Sequence, residues 1–497
     1  MAGGIKRLAK ETAVYGLSSI IGRFLNWLLI PMYVRVLADP GEYGIVSNLY
    51  GWSALLLVLL TYGMETGFFR FMNKEEENPA QVYASTLFSL SITSLFFFIA
   101  AYAFQNPVSV LLGYVETPEY LTMLAAVLAL DAVCSIPFAY LRYQKRPFRF
   151  AGLKLFNIFL NIFLNIFFLI VCPWLMQHAP ATVSWFYISG YGVGYIFVSN
   201  VITSLFTFFL LLPDMKPCMG RSLDLSLLKR MYRYSLPILI LGLAGILNQS
   251  VDKILFPFLF DDRDYANEQL GIYSACFKIA VVMVMFIQAF RYAYEPFIFA
   301  KNKSEDNRKA YSEAMKYFII FALLIFLCVM FYLDIIKYIV VPEYYPGLKV
   351  VPIVMLGEFF FGIYFNLSLW YKLTDQTQWG AYFSILGCII TVSIILVFVP
   401  IYGFMACAWA SFVCNLVMML LSYFIGQKKY PVRYDLKSAA IYGLVAVAVY
   451  AAGMWPDIDS ETLRLAYRTV LLGLFVLLII KRDLPLKEIP FLNRFIK

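Results

Sequence analysis

Histidine is nearly absent from these 497 residues. The single one is His178, and the sequence lacks the HExxH and GxSxG patterns and the phosphate-cradling glycine loop on which many hydrolases and transferases are built. Charge is scarce too, at 14% of residues against the quarter or so that a water-soluble surface needs, so the chain is not expected to fold in water. Its eight cysteines, at 134, 172, 218, 276, 328, 388, 407 and 414, show no CxxC spacing and mostly fall in apolar runs. Neither a disulfide framework nor a zinc site is therefore expected. After the basic start from Met1 to Lys10 no short apolar core with a small-residue cleavage site follows, and the first apolar segment is expected to stay. No cofactor and no metal ion is expected.

What fills the space is hydrophobic: 62% of residues, 18% aromatic, with a mean hydropathy of +0.74. Apolar blocks long enough to cross a ~30 Å hydrocarbon core recur along the whole length. About fourteen spans are predicted, beginning near residues 13, 44, 82, 119, 153, 186, 234, 269, 314, 348, 380, 402, 438 and 463. The fold class is an all-α polytopic membrane protein. No segment between the spans has the size of a soluble domain, and the outer connections, such as Ala38 to Glu42, are too short to build an extracytoplasmic active site.

The net charge of +9 is distributed by side. With the N-terminus inside, the inner segments are Lys6 to Lys10, Arg70 to Ala80, Arg142 to Lys154, Lys216 to Arg233, Lys301 to Lys316, Lys372 to Gln378, Lys428 to Lys437 and the tail from Lys481. They hold roughly 30 of the 40 Lys and Arg. Both termini are thus expected in the cytoplasm. Arg464 and Arg468 sit against this pattern, at the outer end of the last span.

The two halves share a short likeness, Glu42-Tyr-Gly-Ile-Val-Ser47 and Gln269-Leu-Gly-Ile-Tyr-Ser274, each at the start of an apolar block. With six spans before one polar linker and about six before the next, it points to a parallel 6+6 duplication. The expected division is a six-helix lobe over 1–212, a linker over 213–233, a second six-helix lobe over 234–426, a linker over 427–437, two more helices over 438–481 and a tail over 482–497.

Ionisable residues inside spans are costly in lipid, about 2.5 to 3.5 kcal/mol each at mid-depth, and mark candidate functional positions. The basic ones, Arg23, Lys253, Lys278 and Arg291, form a candidate path for an anion such as a diphosphate. Arg291 and Glu295, four apart on one helix face, equally form a structural ion pair. The carboxylates Glu65, Asp131, Asp252, Glu295 and Glu358 are candidates for ion coupling, with H+ or Na+, or counter-ions to those cations. Asn26, Asn248 and Gln288 are candidate polar cavity residues. Asn157, Asn161 and Asn165 repeat every four residues and are read first as interhelical hydrogen bonding, second as a saccharide-contacting stripe. Pro31, Pro137, Pro257, Pro296 and Pro352 are candidate kinks.

Taken in order, the basic N-terminus with Gly16-Leu-Ser-Ser-Ile-Ile-Gly-Arg-Phe-Leu25, then Pro31 to Leu37, Glu42-Tyr-Gly44, Val251-Asp-Lys-Ile-Leu255 and Gly271-Ile-Tyr-Ser-Ala275 resemble the polysaccharide flippase branch of the multidrug/oligosaccharidyl-lipid/polysaccharide exporter superfamily. That branch includes the Wzx-type O-antigen and capsule repeat-unit flippases. The resemblance implies two six-helix lobes in a V around a central cavity, alternating access, and export of an undecaprenyl-diphosphate-linked oligosaccharide across a bacterial inner membrane. It also implies membrane lipids and a polysaccharide polymerase or glycosyltransferase as partners. In related lipid II flippases the two extra helices groove the lipid tail. A cation-coupled multidrug exporter of the same superfamily is the nearer rival, and its cavity is expected to be acidic or apolar. A membrane saccharide polymerase or ligase is the more distant one.

Overall fold

The computed structural model describes residues 21–22, 24–218, 220–221, 223–301, 307–374 and 376–483, without side chains at 293, 295–301 and 307. The described residues are helical, with no strand among them. The long helices are α1 (Ile30–Val36), α2 (Pro40–Thr61), α3 (Met64–Met72), α4 (Pro79–Ala103), α5 (Glu119–Tyr143), α6 (Pro147–Ile166), α7 (Gly192–Met215) and α8 (Leu225–Leu255). They continue as α9 (Arg263–Lys301), α10 (Asn307–Phe331), α11 (Val350–Leu367), α12 (Gln378–Tyr402), α13 (Phe404–Lys429), α14 (Leu436–Met454) and α15 (Glu461–Arg482). Short helical segments join them. Among the described residues thirteen spans are long and apolar enough to cross a membrane, and a shorter apolar helix, Phe24–Val36, precedes them. In order, they match the thirteen predicted beginnings from near 44 to near 463; the one near 13 lies outside the described residues. The protein is therefore a multi-pass membrane protein. Its outward side chains agree, with Phe96 73% exposed and Leu444 71%, an apolar exterior suited to lipid.

Starts and stops follow local chemistry. The Asp39 carboxylate accepts from the Glu42 N–H, and Pro40 opens α2 where its missing donor costs nothing. Asn78 with Pro79 does the same for α4, and Asp224 caps α8 through the Leu227 N–H. That cap corrects the expected linker over 213–233. The helix starts at Leu225 because Leu227, Leu228 and Met231 supply a buried apolar face on the i, i+1, i+4 pattern. Between α2 and α3 the chain turns through Tyr62 and Gly63, both with positive φ. A Cβ at Gly63 would press on the Ser235 carbonyl at 2.7 Å, so the position demands glycine twice over.

The prolines divide into two groups. Pro137 lies inside α5, as expected of a kink. Pro31 and Pro257 instead stand in the first turn of helical segments, the second directly after α8, where the Lys253 carbonyl four residues back accepts from Asn48, and Pro352 is the third residue of α11. The interior prolines also include Pro237 of α8 and Pro400 of α12, which the sequence reading had not singled out. The side chain of Pro296 lies outside the described residues.

By contacts the chain falls into two compact units, one of 1–275 with 384–404, the other of 276–383 with 405–497. This grouping differs from the chain-order division because α8 packs along α2 and α3. In the first unit, α4, α5 and α7 pack side by side around Phe68, Tyr83, Leu141, Leu211 and Met231. Arg149 holds Asp214 through Nε at 2.9 Å and Nη2 at 2.6 Å, a bidentate fork that ties the start of α6 to the end of α7.

In the second unit, α14 and α15 pack on α10. One end of this trio is fastened by Asp483, which accepts from Lys316 Nζ at 2.8 Å and from the Tyr442 hydroxyl at 2.6 Å. Burial raises the Asp483 pKa, but those hydrogen bonds and the charges of Lys316 and Arg482 outweigh it and hold the carboxyl below its ordinary value. A depressed carboxylate stabilises above its unfolded pKa, about 3.9, and that contribution is lost as pH falls through the folded value. Acid below about pH 4 is therefore expected to loosen the end of α15. Hydrogen exchange at residues 478–483 checks it: protection should drop in Asp483→Asn at neutral pH as it does in the native chain in acid.

Candidate functional site

The in-span polar residues divide between the two units. The first unit holds Asn26, Glu65, Asp131, Asn248, Asp252 and Lys253; the second holds Lys278, Gln288, Arg291 and Glu358. Arg23 and the side chain of Glu295 lie outside the described residues, so the Arg291–Glu295 pairing does as well.

Asp252 and Lys253 come together near the end of α8. Lys253 Nζ lies 3.3 Å from both Asp252 carboxylate oxygens, and the Tyr273 hydroxyl of α9 donates to Oδ2 at 2.9 Å. Adjacent helix residues do not face each other, but the four-carbon Lys arm folds back to reach its neighbour. The Lys253 charge is thus shared with a carboxylate, and its backbone carbonyl accepts from Asn48 Nδ2 at 2.6 Å.

Glu65, at the start of α3, pairs with Arg142 at 2.5 Å at the end of α5. Asp131, mid-α5, accepts from Ser204 at 2.9 Å and interacts electrostatically with Lys154. The Lys154 ammonium also lies 4.1 Å over the Phe138 ring. Arg142 and Lys154, expected in an inner connection, both lie in helices. Pro147 opens α6, which carries Lys154 two turns into the span, and a proline followed by an apolar run was the signal that marked it.

The asparagine stripe of α6 is consumed by helix packing. Asn157 donates to Thr207 at 2.9 Å, Asn161 to Asn200 at 2.7 Å and Asn165 to the Asn161 carbonyl at 2.8 Å, while Asn165 accepts from Tyr33 at 2.9 Å. Asn248 accepts from Thr391 of α12 at 2.7 Å. Asn26 is exposed, and Lys278, Gln288 and Glu358 are half-buried.

In the second unit the Arg291 guanidinium lies 4.9 Å over the Phe365 ring, and Lys372, a residue the sequence reading had left in a loop, lies 4.7 Å over the same ring. Two cations on one aromatic ring can present donors to a multiply charged anion. Among the described residues no group of three or more His, Cys, Asp or Glu is placed to hold a metal ion. His178 stacks on Trp174 and its ring nitrogen contacts the Trp174 carbonyl at 2.8 Å, which accounts for it within one helical turn.

Comparison with known proteins bears on what such a scaffold does. The family model described as "Polysaccharide biosynthesis protein" matches residues 8–300. No protein of curated function matches the sequence. Among solved structures, the chain is similar to lipid II flippase MurJ in an inward closed conformation, with a TM-score of 0.72 at 15% identity over 94% of this chain and 99% of that one. It is similar also to a multidrug resistance MATE family transporter of the MOP superfamily, inward-facing, with a TM-score of 0.64 at 14% identity over 84% and 97%. An outward-facing structure of such a transporter gives 0.54 at 14% identity over 84% and 95%. At these identities the likeness is one of fold.

Proposed function

The chain belongs to the polysaccharide biosynthesis protein family, and from that premise we propose that it moves an undecaprenyl-diphosphate-linked oligosaccharide, an O-antigen, capsule or exopolysaccharide repeat unit, from the inner to the outer leaflet of a bacterial inner membrane. Both termini face the cytoplasm in this reading, and the motion is alternating access between two six-helix lobes. That the chain is a flippase or exporter of the MOP type rests on its family and its fold. The choice of cargo rests on the family description, and the in-span cations support it: Arg23, Lys278 and Arg291, joined by Lys372, suit a diphosphate, whereas an organic cation would be repelled. Lys253 shares its charge with Asp252. Glu65 and Asp252 are engaged as counter-ions to Arg142 and Lys253. A polymerase that consumes the exported unit is the proposed partner.

Cells that make such a saccharide test the cargo. Without this protein, lipid-linked saccharide should accumulate on the inner face and outer-face saccharide should fall. Undiminished outer-face saccharide would overturn the assignment.

A further inference from the structure

Five polar side chains of the first unit are joined end to end across four helices: Tyr33 of α1, Asn165 and Asn161 of α6, Asn200 of α7 and Tyr50 of α2. The direction of this hydrogen-bonded row is fixed at one point. Asn165, fully buried, gives its NH2 to the Asn161 backbone carbonyl at 2.8 Å, and a carbonyl can only accept. The Asn165 side-chain oxygen therefore faces the Tyr33 hydroxyl, which donates to it at 2.9 Å. The same NH2 lies 3.2 Å from Asn161 Oδ1, so Asn161 turns its own NH2 to Asn200 Oδ1 at 2.7 Å. Asn200 is left with its NH2 for the Tyr50 oxygen, at 2.8 Å. Tyr50 is thus the acceptor at the end of the row, and its own O–H finds no acceptor among the described residues.

That unspent donor is accessible. Tyr50 is 40% exposed although ten residues, ~15 Å of helix, separate it from Pro40 at the start of α2, and Asn200 lies ~12 Å from Gly192 at the start of α7. Both stand near mid-span. The α6 face that starts the row carries Lys154, Asn157, Asn161 and Asn165 at spacings of three and four, and Lys154 is exposed two turns into the span. An exposed ammonium at that depth calls for water on this face rather than hydrocarbon. Hydrogen bonds linked head to tail polarise one another, so a phenol that accepts at the end of such a row donates more strongly. The Tyr50 ring is steadied by Phe197, with centroids 6.0 Å apart. Resting on the transport reading above, we propose that Tyr50 is a saccharide-binding residue whose O–H donates to a sugar oxygen of the lipid-linked oligosaccharide. A neutral phenol suits a sugar oxygen, whereas a diphosphate oxygen is better met by a cation. Asn161, Asn165 and Asn200 are positioning residues that keep the phenol proton turned outward. The asparagine stripe then serves the sugar without touching it.

Removing one oxygen tests it. With the purified protein in lipid nanodiscs, Tyr50→Phe keeps the ring and should weaken binding of undecaprenyl-diphosphate-linked oligosaccharide about fivefold, the share of one neutral hydrogen bond. Undecaprenyl diphosphate without sugar should bind the variant as it binds the native protein. Native affinity for the oligosaccharide in Tyr50→Phe would overturn the proposal, and an equal loss for both ligands would overturn the sugar contact in favour of a phosphate one. Asn161→Leu should cost about the same fivefold, because the released Asn200 amide can turn and take the Tyr50 proton. Tyr50→Phe and Asn161→Leu together should then lose no more than either alone. Losses that multiply would contradict the positioning role. A cargo-free reading is independent: with a fluorotyrosine in place of Tyr50, Asn165→Leu should shift the fluorine NMR resonance in empty nanodiscs, and an unmoved resonance would show that the row does not reach Tyr50. If the native protein binds no such saccharide, the cargo reading fails and the sugar contact with it, while the fluorine resonance still decides the hydrogen-bonded row.

Discussion

Neutralising Arg23 and Lys278 together, as Arg23→Gln with Lys278→Gln, is expected to reduce flipping of a lipid-diphosphate saccharide by at least about a hundredfold, the loss of two charge-assisted contacts at about 1.5 kcal/mol each. The diphosphate leaves water on entering the membrane, and something must replace its hydration. In the proposed path each cation would supply donors and opposite charge in a medium where both count for more than in water. The single variants should each lose about tenfold, and restoring charge with Arg23→Lys should recover only part, because a point charge does not reproduce the bidentate fork. The readout is the initial rate of saccharide appearance on the far side of reconstituted vesicles at equal protein folding and insertion. A double variant that flips at the native rate would sink the anion path.

The second large effect is on stability. Asp334 receives Arg464 Nε at 2.8 Å and Arg468 Nη1 at 2.8 Å, so one carboxylate serves two guanidiniums of α15. Arg468 also donates to the Gly453 carbonyl of α14 at 3.1 Å, and its side chain is only 9% exposed. These contacts join α14, α15 and the short helix Leu333–Ile336 that follows α10, at the end opposite Asp483. They also explain why two arginines can sit at the supposedly outer end of the last span. Asp334→Ala removes the common partner and leaves two cations side by side, one of them buried. Breaking a fully buried pair costs about 3 to 5 kcal/mol; with Asp334 a quarter exposed, about 2 to 3 kcal/mol is the expected loss. Thermal unfolding in detergent should begin several degrees lower, with Asp334→Glu close to native. A native midpoint in Asp334→Ala would show that packing alone holds the pair of helices.

The spans were legible because lipid imposes a simple rule: every crossing must be long, apolar and internally hydrogen-bonded. Their order needed nothing beyond hydropathy. Their ends needed more. The start of α8 at Leu225 and of α6 at Pro147 depend on a cap and a proline, signals that a hydropathy reading passes over, and both moved charged residues from loop into helix. Partners were less legible still. Nothing along the chain says that Glu65 meets Arg142, that Asp334 gathers Arg464 and Arg468, or that Lys372 shares the Phe365 ring with Arg291, since each contact joins helices far apart in sequence. The asparagine stripe shows the opposite case. Its period of four placed all three residues on one face, and helix packing, the first of its two readings, is where their hydrogen bonds go. The short likeness between residues 42–47 and 269–274 was visible as letters, but only coordinates reveal that the two segments touch each other.

The most direct test of the account is transport by the purified chain in vesicles, with undecaprenyl-diphosphate-linked oligosaccharide and an organic cation offered side by side. The lipid-linked saccharide should move and the cation should not. Movement of the cation with the saccharide left behind would contradict it and place the chain with the multidrug exporters.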